Sequence, residues 1–197
     1  MKFITIAFYL MTTIALYSSD KASNITTKSA VTFNTLCAKC HEGQCSGRLT
    51  FDTGSEAASN HIKRYSDDTN ISKKEIKEFF TLLNYMKKEC LLFMPNETKF
   101  NKDNLILFAT ASHKRYFIPL GVLKKGNYSL ELEEKENIHF KLEVISSQFD
   151  SYLDEAFCPE SKGRKFDFSI EENINYFLRI QSRKPLDLKS LKINGPL

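Results

Sequence analysis

The chain contains no tryptophan, and its 197 residues include only seven glycines, five prolines and four histidines. Scarce glycine and proline exclude a low-complexity or disordered chain and leave ordinary globular structure. There is no second C-x-x-C and no closely spaced histidine pair, so a zinc site lacks its second pair of ligands. His113 and His139 have no Cys, Asp or Glu at metal-ligand spacing and read as solvent-facing or core histidines. No Ser/His/Asp order with a nucleophile elbow occurs, and acidic pairs such as Glu133-Glu134 read as loop charge, so an enzyme is not expected. No basic arm or nucleic-acid motif accompanies the net charge of +4, which sets nucleic-acid binding aside.

The longest apolar run, Phe3 to Tyr17, is too short for a comfortable bilayer span. Lys2 precedes it and Ser18-Ser19 follow, the form of a secretory signal over residues 1–23. A removed signal implies a periplasmic or secreted protein. An uncleaved one would anchor the chain, the only way in which a membrane is expected as a partner. Loss of the segment removes Lys2, Lys21 and Asp20, a net +1, and leaves a weakly basic +3. Outside the cytoplasm Cys45, Cys90 and Cys158 would meet oxidising conditions.

What is present is Cys37-Ala38-Lys39-Cys40-His41. Two thiols separated by two residues can add to both haem vinyl groups, and the adjacent imidazole can then bind iron, so the motif reads as an attachment site for one covalent haem c. Ala30, Phe33 and Leu36 precede it at helical spacing, and a glycine-punctuated loop, Glu42 to Arg48, follows. Arg48 is either a partner for a haem propionate or a surface arginine. A helix is expected over Ser55 to Tyr65 with His61 turned inward, and another from Ser72, where Ser72-Lys73-Lys74-Glu75 has the form of a capping box, to Cys90. Lys73, Lys74, Lys77, Lys87 and Lys88 then form either a docking surface for an acidic redox partner or a solvated helix face.

With Cys37, Cys40 and His41, the closing helix from Ile76 to Met86 resembles that of the class I cytochrome c domain, over about Ala30 to Met94. The resemblance implies a small all-α domain, here residues 24–98, carrying haem iron with His41 as proximal ligand. Where that family places a distal methionine this chain has none, and His61 is the strong ligand available, with Met94 as the alternative and an open distal face as the third possibility. Cys45-Ser46-Gly47-Arg48, His61-Ile62 and Met86 to Cys90 are similar to a histidine-ligated branch of small cytochromes. If the terminal helix folds back over the haem loop, Cys45 and Cys90 form a disulfide.

Residues 99–197 alternate between apolar and polar side chains. Leu105–Phe108, Tyr116–Ile118, Tyr128–Leu132, Phe140–Val144, Phe166–Ile170 and Tyr176–Ile180 read as strands, with Leu186–Ile193 as a further one and Ser147–Lys165 as a long loop. Their spacing predicts an antiparallel sandwich, and Leu123–Leu130 with Asn175–Ile180 faintly resembles the jelly-roll modules of secreted bacterial enzymes. The fold class expected is thus α + β in two domains: a small all-α cytochrome c domain followed by an antiparallel, jelly-roll-like β-sandwich. The function expected is that of an exported cytochrome passing single electrons through its haem to a redox partner protein, docked by the β domain. The alternatives are a haem enzyme or gas/redox sensor with an open distal site, and a secreted binding module with a structural haem.

Overall fold

A computed structural model describes residues 24–42, 45, 55–65, 71–95, 100–101, 103–136, 138–157 and 164–196. The expected signal segment 1–23, Arg48 and Cys158 lie outside the described residues.

The first helix, α1 (Thr27–Thr32), starts at Thr26, whose hydroxyl accepts from the Ser29 amide. It passes without a break into a π-turn, Phe33–Cys37, and then into a short helix α2, Ala38–His41. Thr35 explains the local widening. Its hydroxyl donates to the carbonyls of Val31 at 2.8 Å and Thr32 at 3.2 Å, and so competes with the backbone ladder one turn before the attachment motif.

Helix α3 spans Ser55–Tyr65 and α4 spans Lys73–Glu89. The capping box predicted at Ser72 is formed: its hydroxyl accepts from the Glu75 amide at 3.1 Å, and the Glu75 carboxylate accepts from the Ser72 amide at 2.8 Å. Ile76, Phe79, Leu82, Leu83 and Met86 bury the apolar stripe of α4. Lys87 lies on the buried side as well, 2% exposed, and desolvation lowers its pKa, so it is not part of a surface lysine patch.

Two acidic side chains of α4 tie down the start of α1. Glu78 accepts from the Thr26 hydroxyl at 2.8 Å and its amide at 3.2 Å, while Glu75 pairs with Lys28 at 2.8 Å. Burial works to raise the Glu78 carboxyl, but the hydrogen bonds at the head of α1, with Lys74's charge, outweigh it and hold the group below the usual 4.5. A carboxylate depressed on folding stabilises above its unfolded pKa and loses that contribution as pH falls. We therefore expect the midpoint of thermal unfolding to drop as pH is taken below about 4.5, and Glu78→Gln to flatten that acid limb while lowering stability at neutral pH. A variant whose acid limb is as steep as the parent's would show that Glu78 does not titrate with folding.

Among the described residues seven antiparallel strands follow: β1 (Arg115–Val122), β2 (Gly126–Glu134), β3 (Phe140–Ser146), β4 (Ser151–Phe157), β5 (Arg164–Ile170), β6 (Asn175–Ser182) and β7 (Leu188–Asn194). They form a four-stranded sheet in the order β1-β6-β3-β4 and a three-stranded sheet in the order β5-β2-β7. Apart from the β3–β4 hairpin, each successive strand crosses to the other sheet, which makes a two-layer antiparallel sandwich. Tyr128, Leu130, Leu132, Phe166 and Phe168 face Tyr116, Ile118, Leu142, Val144, Leu178 and Ile180 in the core. The outer face of the three-stranded sheet is polar, with Glu131 bonded to Asn194 and Glu133 to Lys189.

Three expectations change. Leu105–Phe108 is a 3-10 turn, not a strand, because the side chains of Asn101 and Asn104 hydrogen-bond backbone amides across the residues before it. Within the supposed loop after Ser147 lies β4, an edge strand paired only with β3. Most of its side chains are exposed, so it lacks a strong period-two signal. Third, a self-contained all-α domain is not shown. The π-turn packs against β1 and β6, α1 packs against β1, and the Leu92 amide donates to Ser147 at 2.8 Å, so the helical segment lies on the outer face of the four-stranded sheet.

Candidate functional site

The π-turn and α2 carry Cys37, Cys40 and His41. Cys37 is half-buried against the core, whereas Cys40, one helical turn later, is exposed. Burial, with a smaller contribution from Cys40, pushes the Cys37 thiol up to about 12.

Helix α3 brings His61 opposite His41. The two ring centres are 6.5 Å apart and the planes are inclined by 67°. Ile62 is buried and His61 is largely exposed, so α3 turns its apolar side to the core and its histidine toward α2 and not, as expected, inward. Two imidazoles on opposite sides of one iron would have ring centres about 6 Å apart, given metal–nitrogen bonds of about 2 Å. The observed separation of 6.5 Å is close to that spacing.

A disulfide joins Cys45 to Cys90 with a Cα–Cα distance of 5.2 Å. Cys90 caps α4 in the left-handed conformation, φ 56°, and its amide donates to Met86, so the end of α4 is brought back to the loop that follows His41. Met94 is partly buried against the core beside Phe93, whose ring meets Tyr85 edge-on with centres 5.1 Å apart and whose carbonyl accepts from Asn34 at 2.8 Å. The structure places the rings of His41 and His61 with centres 6.5 Å apart.

Sequence reasoning missed a charge cluster beneath this site. Arg179 of β6 is 1% exposed, and its guanidinium donates to Glu143 at 2.9 Å and to Glu42, the residue after His41. Gln181, two residues along the same face, donates to the Thr35 carbonyl at 3.1 Å. The available signal was Arg179 itself, a charged residue inside the apolar run Tyr176-Phe177-Leu178-Arg179-Ile180. His113 and His139 are both exposed, and His139 lies 3.1 Å from the Phe157 carbonyl.

No protein-family model and no curated protein matches the chain. Solved structures do. One is a family GH115 4-O-methyl-α-glucuronidase, described as specific for decorated arabinogalactans, at 10% identity over 41% of this chain and 13% of that one, TM-score 0.30. A second, titled for CBM4 structure and function, is 11% identical over 41% of this chain and 72% of that one, TM-score 0.30. A third, CBM35 from Cellvibrio japonicus Abf62, is 10% identical over 46% and 73%, TM-score 0.33.

The expectation of an electron-transfer cytochrome, with iron binding and electron transport as its defining properties, is corrected by the structure. Among the described residues, no group of three or more His, Cys, Asp or Glu side chains is placed to hold a metal ion. The physical reason is the packing: the larger part of the described residues belongs to the β-sandwich, and the helices lie on it instead of closing a separate haem protein. No helix among the described residues is long and apolar enough to cross a membrane.

Proposed function

We propose that the chain is a secreted, non-catalytic binding module in which the β-sandwich carries a helical attachment segment, with one haem c held at Cys37, Cys40 and His41 as a structural group. The observation that carries this reading is that the attachment turn is fastened into the sandwich by Glu42 on Arg179 and Thr35 on Gln181. A group held there would join α2 to α3 over the sandwich, a stabilising role. Haem asks less of the chain than a bare ion does, because the porphyrin supplies four nitrogens and the protein only the axial ones. His41 and His61 would hold the haem iron. When bound, the haem would supply a rigid apolar plate linked through two thioethers.

The test is to mature the protein in a haem-attaching host and compare it with Cys37→Ala/Cys40→Ala. One haem per chain by pyridine haemochrome, a higher unfolding temperature than the variant, slow electron exchange with small redox proteins, and retardation in at least one polysaccharide or protein affinity matrix would support the module. Absence of haem, or rapid exchange with no binding, would overturn it.

A second expected result concerns the axial pair. His61→Ala should open one side of the iron and give a high-spin ferrous form that takes up carbon monoxide, while Met94→Ala should leave the spectrum unchanged. A near-infrared sulfur-to-iron band in the parent, lost on Met94→Ala, would reject His61.

A further inference from the structure

Strand β6 grips the attachment turn on both sides. Gln181 holds the carbonyl of Thr35, two residues before Cys37, and Arg179 holds the carboxylate of Glu42, one residue after His41. Residues 179 and 181 point to the same face of the strand, so the two grips are one strand repeat apart and bracket the motif. Glu143, directly opposite Arg179 on β3, takes the other end of the guanidinium at 2.9 Å and fixes its plane. Arg179 is 1% exposed, with Glu42 at 22% and Glu143 at 13%, so the fork acts where water screens it little.

We propose that Arg179 and Gln181 are positioning residues which set the orientation of the His41 imidazole from the β-sandwich, 138 residues away in sequence. This rests on the haem reading above. An axial imidazole is useful only if its ring is held in one orientation, and the groups that orient it ordinarily lie one bond network further out. Here the Nδ1 and Nε2 atoms of His41 need no direct contact with the clamp. Fixing the backbone on both sides of the turn fixes where its Cβ points. A guanidinium suits this because its rigid planar fork holds two carboxylates in fixed directions, whereas a lysine's ammonium donors rotate.

The experiment uses the full chain, matured in a haem-attaching host, as parent, Glu42→Gln, Gln181→Leu and Arg179→Lys. Leu191→Ala, in the other sheet, serves as a stability control. Two quantities are read: the electron paramagnetic resonance of the ferric haem, and hydrogen exchange at the amides of residues 35–42. Glu42→Gln and Gln181→Leu should shift or split the low-spin signal and speed exchange across 35–42 at least tenfold, with Arg179→Lys intermediate. Leu191→Ala should lower the melting temperature and leave the signal in place. Unchanged resonance and exchange in both Glu42→Gln and Gln181→Leu would overturn the clamp, as would an equal shift in Leu191→Ala. A chain without haem would sink the haem reading alone, since exchange at residues 35–42 still decides whether β6 holds the turn.

Discussion

Replacing Cys45 with serine should lower the unfolding free energy by about 4 kcal/mol. The two cysteines are separated by 45 residues, and the cross-link removes the entropy of that loop from the unfolded chain. The bond also closes the segment that carries α3 and α4, so its loss frees His61 relative to His41. Cys90→Ser should cost about as much, but Cys90→Gly about 1 kcal/mol less, because Cys90 has φ 56° and glycine adopts that conformation without the Cβ clash. Urea unfolding of the parent, Cys45→Ser, Cys90→Ser and Cys90→Gly measures all three losses. A loss under about 1 kcal/mol for Cys45→Ser would mean that the unfolded chain keeps the two ends together without the bond.

The helices of the attachment segment were legible because their signals are local. Ser72 and Glu75 specify a start and Ile76 to Met86 an apolar stripe, and α4 begins and packs accordingly. The same holds for strands with clean alternation, such as β2, where Tyr128, Leu130 and Leu132 are buried and Glu131 and Glu133 exposed. Edge strand β4 was hidden because nothing covers enough of it to demand apolar residues at every second position. The cluster at Arg179 was hidden for a different reason. A charged residue in an alternating strand ordinarily marks the solvent face, and only contact between segments far apart in sequence shows that Glu42 and Glu143 neutralise it. Of the site itself, the motif Cys37-Cys40-His41 could be read from spacing. The facing of His61 and His41 depends on how α3 sits against α2, which no local pattern states.

Phe177→Ala should cost about 3–5 kcal/mol, and the size of that loss separates the layered fold from the simpler sandwich that the sequence suggests. Phe177 shares its sheet face with Arg179 and Gln181, lies opposite Pro119 and Ile145, and stacks on Phe117 with ring centres 4.8 Å apart. In a free-standing sandwich that face would look to solvent and removal of the ring would cost roughly 0.5 kcal/mol or less. Phe177 is instead 5% exposed and β6 is buried continuously from Tyr176 to Ile180, the pattern of a strand covered on both faces. Inner cover comes from the three-stranded sheet. On the other side it comes from the segment that carries the attachment motif, through the contacts of the π-turn with β1 and β6. Val122→Ala, at a position 62% exposed, provides the reference for a solvated site on the same sheet. Denaturant unfolding of the two variants should therefore differ by about 3 kcal/mol or more. Near-equal losses would show that the helical segment does not seal this face, and would also remove the route by which β6 could orient His41.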